Sequence, residues 1–198
     1  PYIAPNEPPV ADDGVTFTIE EDGTLLVEEA ALLGSSMDPD FDALHIENLQ
    51  LGEGASGSLV LNDVAAPEGT RTWTYTPVGD FNGSVALSYE VSDGEFTAPV
   101  NTSITVTSVN DPAMIDGDST GVVTEGASLV AHGTLTIMDP DAGESSFQAA
   151  TVSGDHGTLD ITPAGEWTYT LDSDFAITGE IEGTDPVITD PIVVYSAD

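Results

Sequence analysis

A five-residue stretch in the middle of the chain, Val109-Asn110-Asp111-Pro112-Ala113, has a near copy at Pro5-Asn6-Glu7-Pro8-Pro9. The two copies lie roughly 100 residues apart, the length of one small sandwich domain, so the period divides the chain into two units on one plan. Proline fixes φ and removes a backbone donor, while Asn, Asp and Glu supply side-chain oxygens. Each copy therefore reads as a stiff, oxygen-rich joint. Other landmarks recur in the same order: Asp38-Pro39-Asp40 returns as Asp139-Pro140-Asp141, Trp73-Thr74-Tyr75-Thr76 as Trp167-Thr168-Tyr169-Thr170, and Asp80-Phe81 as Asp172-Ser173-Asp174-Phe175. Shared order argues against coincidence.

Within the first unit the apolar residues follow a β rhythm. Strands are predicted at 15–19, 24–27, 44–51, 57–61, 71–76, 85–91 and 102–109, separated by Gly, Pro, Asn and Asp clusters, with one short helical turn over 28–33. Seven is about the strand count of an immunoglobulin-like sandwich. Trp73, Tyr75 and Tyr89 read as core. The expected fold is all-β, two such sandwiches in tandem. Asp198 stands as far from Asn110 as Asp93 does from Asn6, to within a residue, so the second sandwich is expected to lack its last strand. A cut, a later return after an inserted domain, and another chain remain equal sources for that strand. Residues 1–7 read as a preceding linker, which implies a segment of a longer chain.

Charge narrows the function. The chain carries 36 Asp and Glu against one basic side chain, Arg71, for a formal net charge of −35. Nucleic acid and anionic membrane surfaces are excluded as partners, since both need Lys and Arg. At 39% hydrophobic residues the chain has too much apolar material for a disordered acidic tail. No stretch is apolar for long enough to cross a bilayer. Without cysteine there are no disulfides, and a small domain then needs another staple, for which bound metal is the usual alternative.

The carboxylates collect in turns: 20–22, 38–42, 80–82 and 93–95. If the strands run up and down, the first and third lie at the end of the unit near Asn110, and the second and fourth at the end near Asn6. Such clusters repel one another in a bare domain, whereas a hard cation with six to eight oxygen ligands turns them into a clamp. The run Asp38, Asp40, Asp42 is not an EF-hand loop, because position six is Ala43 and position twelve Leu49. A saline habitat would also favour acidity but does not explain its placement in turns. His45, His132 and His156 show no zinc-protease spacing, and Gly54-Ala55-Ser56-Gly57 has its second glycine one place early for a nucleophile elbow. Carboxylate pairs abound, yet nothing sets their pKa values apart as a glycosidase requires, so no enzyme is expected.

The first unit, with Asn6-Glu7-Pro8-Pro9, Glu21-Asp22, Asp38-Pro39-Asp40, Tyr75-Thr76-Pro77, Asp80-Phe81-Asn82-Gly83 and Val91-Ser92-Asp93-Gly94, resembles the bacterial cadherin-like repeats of large surface proteins. The second, with Val123-Thr124-Glu125, Asp139-Pro140-Asp141-Ala142-Gly143, Gly157-Thr158-Leu159 and Trp167-Thr168-Tyr169-Thr170-Leu171, resembles a VCBS repeat. The resemblance implies two cadherin-like β-sandwiches, at 8–109 and, incomplete, at 114–198, with a calcium-binding joint at 110–113. It further implies the extender region of a secreted RTX-type adhesin at the bacterial surface, a monomer serving adhesion and biofilm formation. Its partners would be neighbouring repeats of the same chain, and a host or biofilm surface reached through another module. A second reading makes the segment part of a ligand-binding tip, its second domain hosting an inserted sugar- or peptide-binding module.

Carried over residue by residue, the resemblance places Ca2+ at the central joint among Glu21, Asp80, Asn110, Asp111, Asp139, Asp141 and Asp198. A second set at the N-terminal joint comprises Asn6, Glu7, Asp38, Asp40 and Asp93. Glu125 with Asp172 or Asp174 would serve a following joint, and Gly126, where the first unit has Asp22, removes one ligand there.

Overall fold

The computed structural model describes residues 5–124, 128–173 and 188–197. Two compact units result, Pro1–Val109 and Asn110–Asp198.

The first unit contains β1 Phe17–Glu20, β2 Leu25–Glu28, α1 Glu29–Leu33, β3 His45–Leu51, β4 Ser58–Leu61, β5 Thr72–Thr76, β6 Gly83–Ser92 and β7 Thr97–Thr107. One sheet runs β1-β7-β6-β3 and the other β2-β5-β4. Every pairing is antiparallel except β1 with β7. Alternation sends Val85, Leu87, Tyr89 and Val91 of β6 and Trp73 and Tyr75 of β5 into the interior, where side chains of both sheets meet. Burying each such side chain stabilises the unit by roughly 1.5–3 kcal/mol. The expected strands are present, with small differences at their ends: β6 is longer than 85–91 at both ends, and β7 begins at Thr97, ahead of 102, and runs through Pro99. β1 pairs with β7 only over Ile104–Thr107, so around Pro99 the strand has β6 as its one ladder partner. Proline is tolerated at such an edge.

The chain's one basic side chain is committed inside this unit. Glu29 is fully buried at the start of α1, and its carboxylate accepts from the N–H of Ile46 at 2.8 Å, the N–H of Arg71 at 3.0 Å and Arg71 Nη2 at 2.5 Å. Arg71 Nη2 also donates to the Ile46 carbonyl, and the guanidinium lies 5.7 Å from the Trp73 ring centre. Burial pushes the Glu29 carboxyl up, but the Arg71 fork and the two backbone N–H groups outweigh it and hold the group below its ordinary value.

In the second unit β8 Met114–Gly117, β9 Val130–Met138, β10 Ala150–Ser153, β11 Gly157–Ile161 and β12 Glu166–Leu171 form one antiparallel sheet ordered β10-β11-β12-β9-β8. Ala131, Leu135, Phe147, Ile161 and Trp167 make its core. Trp167 lies opposite Gly133, where a Cβ would fall 2.5 Å from the indole, so glycine is required for close approach rather than for backbone freedom. Among the described residues none after β12 lies in a strand. Residues 195–197 run beside 146–148 instead, through Gln148 N–H to Tyr195 O, Ala197 N–H to Ser146 O and an isolated bridge between Phe147 and Ser196.

Asp190 fastens the last described segment, 188–197. Its carboxylate accepts from Tyr169 Oη at 2.7 Å, Asp155 N–H at 2.8 Å and His156 N–H at 3.0 Å. Burial raises the Asp190 pKa, but these donors together bring it below the ordinary value. Asp190→Ala is expected to cost about 2 kcal/mol and to speed amide exchange at Asp155 and His156. Since the folded pKa is the lower one, the contribution is complete above the ordinary value of 3.8 and is lost as pH falls through the folded value. Unchanged exchange at both amides would show that the segment is held by other contacts.

Candidate metal centre

At the N-terminal end of the first unit, Val10 and Met37 exchange backbone hydrogen bonds of 2.8 and 3.0 Å, which ties the joint to the acidic turn. Asp38 Oδ1 accepts the N–H groups of Asp40 and Asp42, closing the turn on itself, and Phe41 takes the left-handed φ of 66° that the reversal demands. Asp40 Oδ2 accepts Glu7 N–H at 2.7 Å. Asn6 Nδ2 donates to Asp93 Oδ2 at 3.1 Å. Hydrogen bonds from the N–H groups of Phe96 and Glu95, with that of Asn6, hold the Asp93 carboxyl below its usual value. Asn6, Glu7, Asp38, Asp40 and Asp93 are thus gathered at one end. Asp38 is 7% exposed, and its Oδ2 is sealed from solvent with no hydrogen-bond partner among the described residues.

The second unit repeats three parts of this geometry. Asp139 Oδ1 accepts Asp141 N–H at 2.9 Å, Asp141 Oδ2 accepts Asp111 N–H at 2.7 Å, and Met114 pairs with Met138 where Val10 pairs with Met37. Asp139 Oδ2 is again sealed without a hydrogen-bond partner among the described residues. Gly143, at φ 96°, then turns the chain back so that Glu144 joins the pair. One oxygen each from Asp139, Asp141 and Glu144 lies within 4.8 Å of the others. Glu144 is a residue the sequence reading passed over. Its signal was the glycine before it, since a left-handed turn there returns the next side chain toward the Asp-Pro-Asp pair.

At the other end of the first unit Glu21 is 4% exposed and accepts Val109 N–H at 2.7 Å and Asn82 Nδ2 at 3.5 Å. Asp80 stands in the same turn as Asn82, exposed, at φ 59°. The acidic turns therefore take the ends expected of strands running up and down, and Asn82, read from the sequence as part of the 80–82 turn but not as a ligand, adds its amide beside Glu21. Glu21 and Asp80 belong to the first unit, and Asn110, Asp111, Asp139 and Asp141 to the second. Asn110 is exposed, its amide 3.5 Å from Asp111 O. Asp198, Glu125 and Asp174 lie outside the described residues, and Asp172 is exposed.

A buried carboxylate oxygen without a donor is costly, and more so beside a second carboxylate. Here the same oxygen is left bare in both units while its twin is used to shape the turn. A hard cation that takes oxygen ligands only resolves that cost, and the donor set, carboxylates with the side-chain amides of Asn6 and Asn110 and neither histidine nor cysteine, fits calcium rather than zinc.

The family model of the cadherin-like domain matches residues 5–107, and that of the bacterial cadherin-like domain matches residues 110–195. Similar solved structures include human protocadherin-24 EC1-2, 14% identical at a TM-score of 0.47, with 84% of this chain and 79% of that one covered. The endo-fucoidan hydrolase MfFcnA4 of glycoside hydrolase family 107 is 19% identical at 0.32, with 82% and 24% covered. Surface layer protein SbsC, domains 4-9, is 11% identical at 0.30, with 85% and 27% covered. The chain spans about a quarter of the length of the last two. No curated protein matches it.

Proposed function

This chain belongs to the cadherin-like domain family, and from that premise we propose that it is a calcium-stiffened spacer in a secreted bacterial surface adhesin. Cadherin-like domains are typically structural or adhesion modules rather than enzymes, and they generally bind calcium. Bacterial members suggest extracellular or surface proteins, and no helix among the described residues is long and apolar enough to cross a membrane. The finer reading is an extender segment of an RTX-type adhesin active in biofilm formation, its second unit a VCBS-type variant. It is a monomer whose partners are neighbouring repeats of the same polypeptide, and another module meets the target surface.

The observation that carries this reading is the bare, buried oxygen of Asp38 and of Asp139 in matching acidic turns. Asn6, Glu7, Asp38, Asp40 and Asp93 would hold calcium at the N-terminal joint. Glu21, Asp80, Asn110, Asp111, Asp139, Asp141 and Asp198 would hold it at the central one. When bound, the ion supplies the positive charge that the chain lacks. The residues shape the turns, keep water from one oxygen of each Asp and fasten joint backbone to turn carboxylate. Extracellular calcium modules have dissociation constants on the order of 0.1–1 mM, so the sites fill outside the cell and stay empty in the cytosol. Small-angle scattering is expected to show a longer, less variable particle with calcium than with chelator. Superimposable profiles would overturn the spacer reading.

A further inference from the structure

Away from the acidic turns, the four-stranded sheet of the first unit carries a recess on its outward face. Leu87, Tyr89 and Val91 of β6 enter the core, so Ser88 and Glu90 between them face outward. A recess of about 510 Å³ opens there among Asn48, Gln50, Ser88, Glu90, Pro99 and Asn101. Register brings these residues together: Gln50 pairs with Ser88, Ser88 with Asn101, and Glu90 with Pro99. A bulge shapes the site. Between the pairs Glu47–Glu90 and Gln50–Ser88 the β3 strand has one residue more than β6, and Asn48 takes a left-handed φ of 54°. Its Nδ2 donates to Glu90 Oε2 at 2.6 Å, which commits one oxygen of the one carboxylate in the recess. Glu47, opposite Glu90 in the ladder, is engaged by His45 Nε2 at 2.9 Å.

We infer that this recess binds a neutral saccharide. Each hydroxyl of a sugar ring both donates and accepts, and the primary amides of Asn48, Gln50 and Asn101, the Ser88 hydroxyl and the free oxygen of Glu90 set donors and acceptors side by side. The Pro99 ring adds an apolar plate. Charge excludes the alternatives. No basic side chain lines the recess and the chain carries a formal −35, so phosphate, sulfate and carboxylate ligands are repelled. An apolar ligand would leave the amides without partners. The ring of Tyr89 is buried, its hydroxyl donating to Leu32 O at 2.9 Å, so no aromatic face meets the sugar and binding is weak. A bulge also blunts an edge strand, but that role needs the backbone kink and not the amides. The inference does not depend on the calcium reading.

Amide NMR of the isotope-labelled 198-residue chain tests this with maltotetraose, cellotetraose and mannotetraose, and with tetragalacturonate as an anionic probe of equal length. At least one neutral sugar is expected to shift the backbone amides of 48–50, 88–90 and 100–101 and the side-chain amides of Asn48, Gln50 and Asn101, with a dissociation constant on the order of 1 mM. Tetragalacturonate should leave them unmoved. Gln50→Ala and Asn101→Ala, both at exposed positions, should each weaken binding about fivefold or more while leaving the rest of the spectrum unchanged. Asn48→Gly keeps the left-handed backbone without the amide and should weaken it as much. Thr105→Ala, exposed on β7 outside the recess, should bind as wild type does. If no neutral sugar moves these amides, the recess holds water alone and the inference falls. It falls equally if tetragalacturonate binds as well as the neutral sugars, or if binding survives the three amide substitutions, which would leave the bulge as an edge guard.

Discussion

Arg71→Met is expected to destabilise the first unit by about 3–5 kcal/mol, because it leaves Glu29 as an uncompensated charge with no exposure to water. In a domain of this size each kcal/mol moves the melting temperature by roughly 4–8 °C, so the variant should melt at least about 10 °C lower. Arg71→Lys keeps the charge but not the fork that spans Glu29 and the Ile46 carbonyl, and it should fall between the two. The double variant Arg71→Met with Glu29→Leu should recover part of the loss by removing the buried charge. It should not recover all of it, since the N–H groups of Ile46 and Arg71 would lose their acceptor. The pH dependence has a fixed sign. The folded pKa of Glu29 is depressed, so the pair's contribution is complete above the ordinary value of 4.5 and is lost as pH falls through the folded value. Scanning calorimetry checks the series, and a single variant that melts like wild type would show the pair to be dispensable.

The strand positions of the first unit and the plan of two cadherin-like units were readable in the sequence because alternation and turn residues are local signals. The repeated Trp-Thr-Tyr-Thr run marked β5 and β12; Trp73 is buried where core was expected, and its counterpart Trp167 is buried as well. Pairings set by tertiary contact were not readable. Glu29 is one acidic residue among many in the string, and nothing nearby shows that Arg71, distant in sequence, will close on it. Pro99 carries a turn signal that only its edge position in β7 overrides. Asp190 lies in a stretch without periodicity, and its partners on Asp155, His156 and Tyr169 are brought together by the β10–β11 turn and the pairing of β11 with β12. For the candidate site, the Asp-Pro-Asp turns could be found from residue type and repetition. That one oxygen of Asp38 and of Asp139 is sealed from water, and that Glu144 folds back beside its pair, depends on backbone angles at Phe41 and Gly143.

Calcium at about 100-fold over its dissociation constant is expected to stabilise the folded chain by about 2.7 kcal/mol for each site that binds the folded state alone. For an extracellular-type site that condition is met at about 10–100 mM, and the corresponding rise in melting temperature is about 10–20 °C. A chain with a formal net charge of −35 will also gain from any salt that screens its self-repulsion, so the comparison must be made at equal ionic strength. Sodium chloride at matched ionic strength should give a small part of the rise. Magnesium should give less than calcium, because it favours strict octahedral geometry and parts reluctantly with its water. Asp139→Asn separates coordination from architecture. Its amide oxygen can still accept the N–H of Asp141, so the turn survives, while the negative charge that calcium needs is gone. The variant should therefore lose much of the calcium-dependent rise and yet melt no lower than wild type in chelator. A carboxylate that merely caps its turn would cost stability in both conditions, and sodium chloride reproducing the whole rise would reduce the acidic turns to a solvated surface.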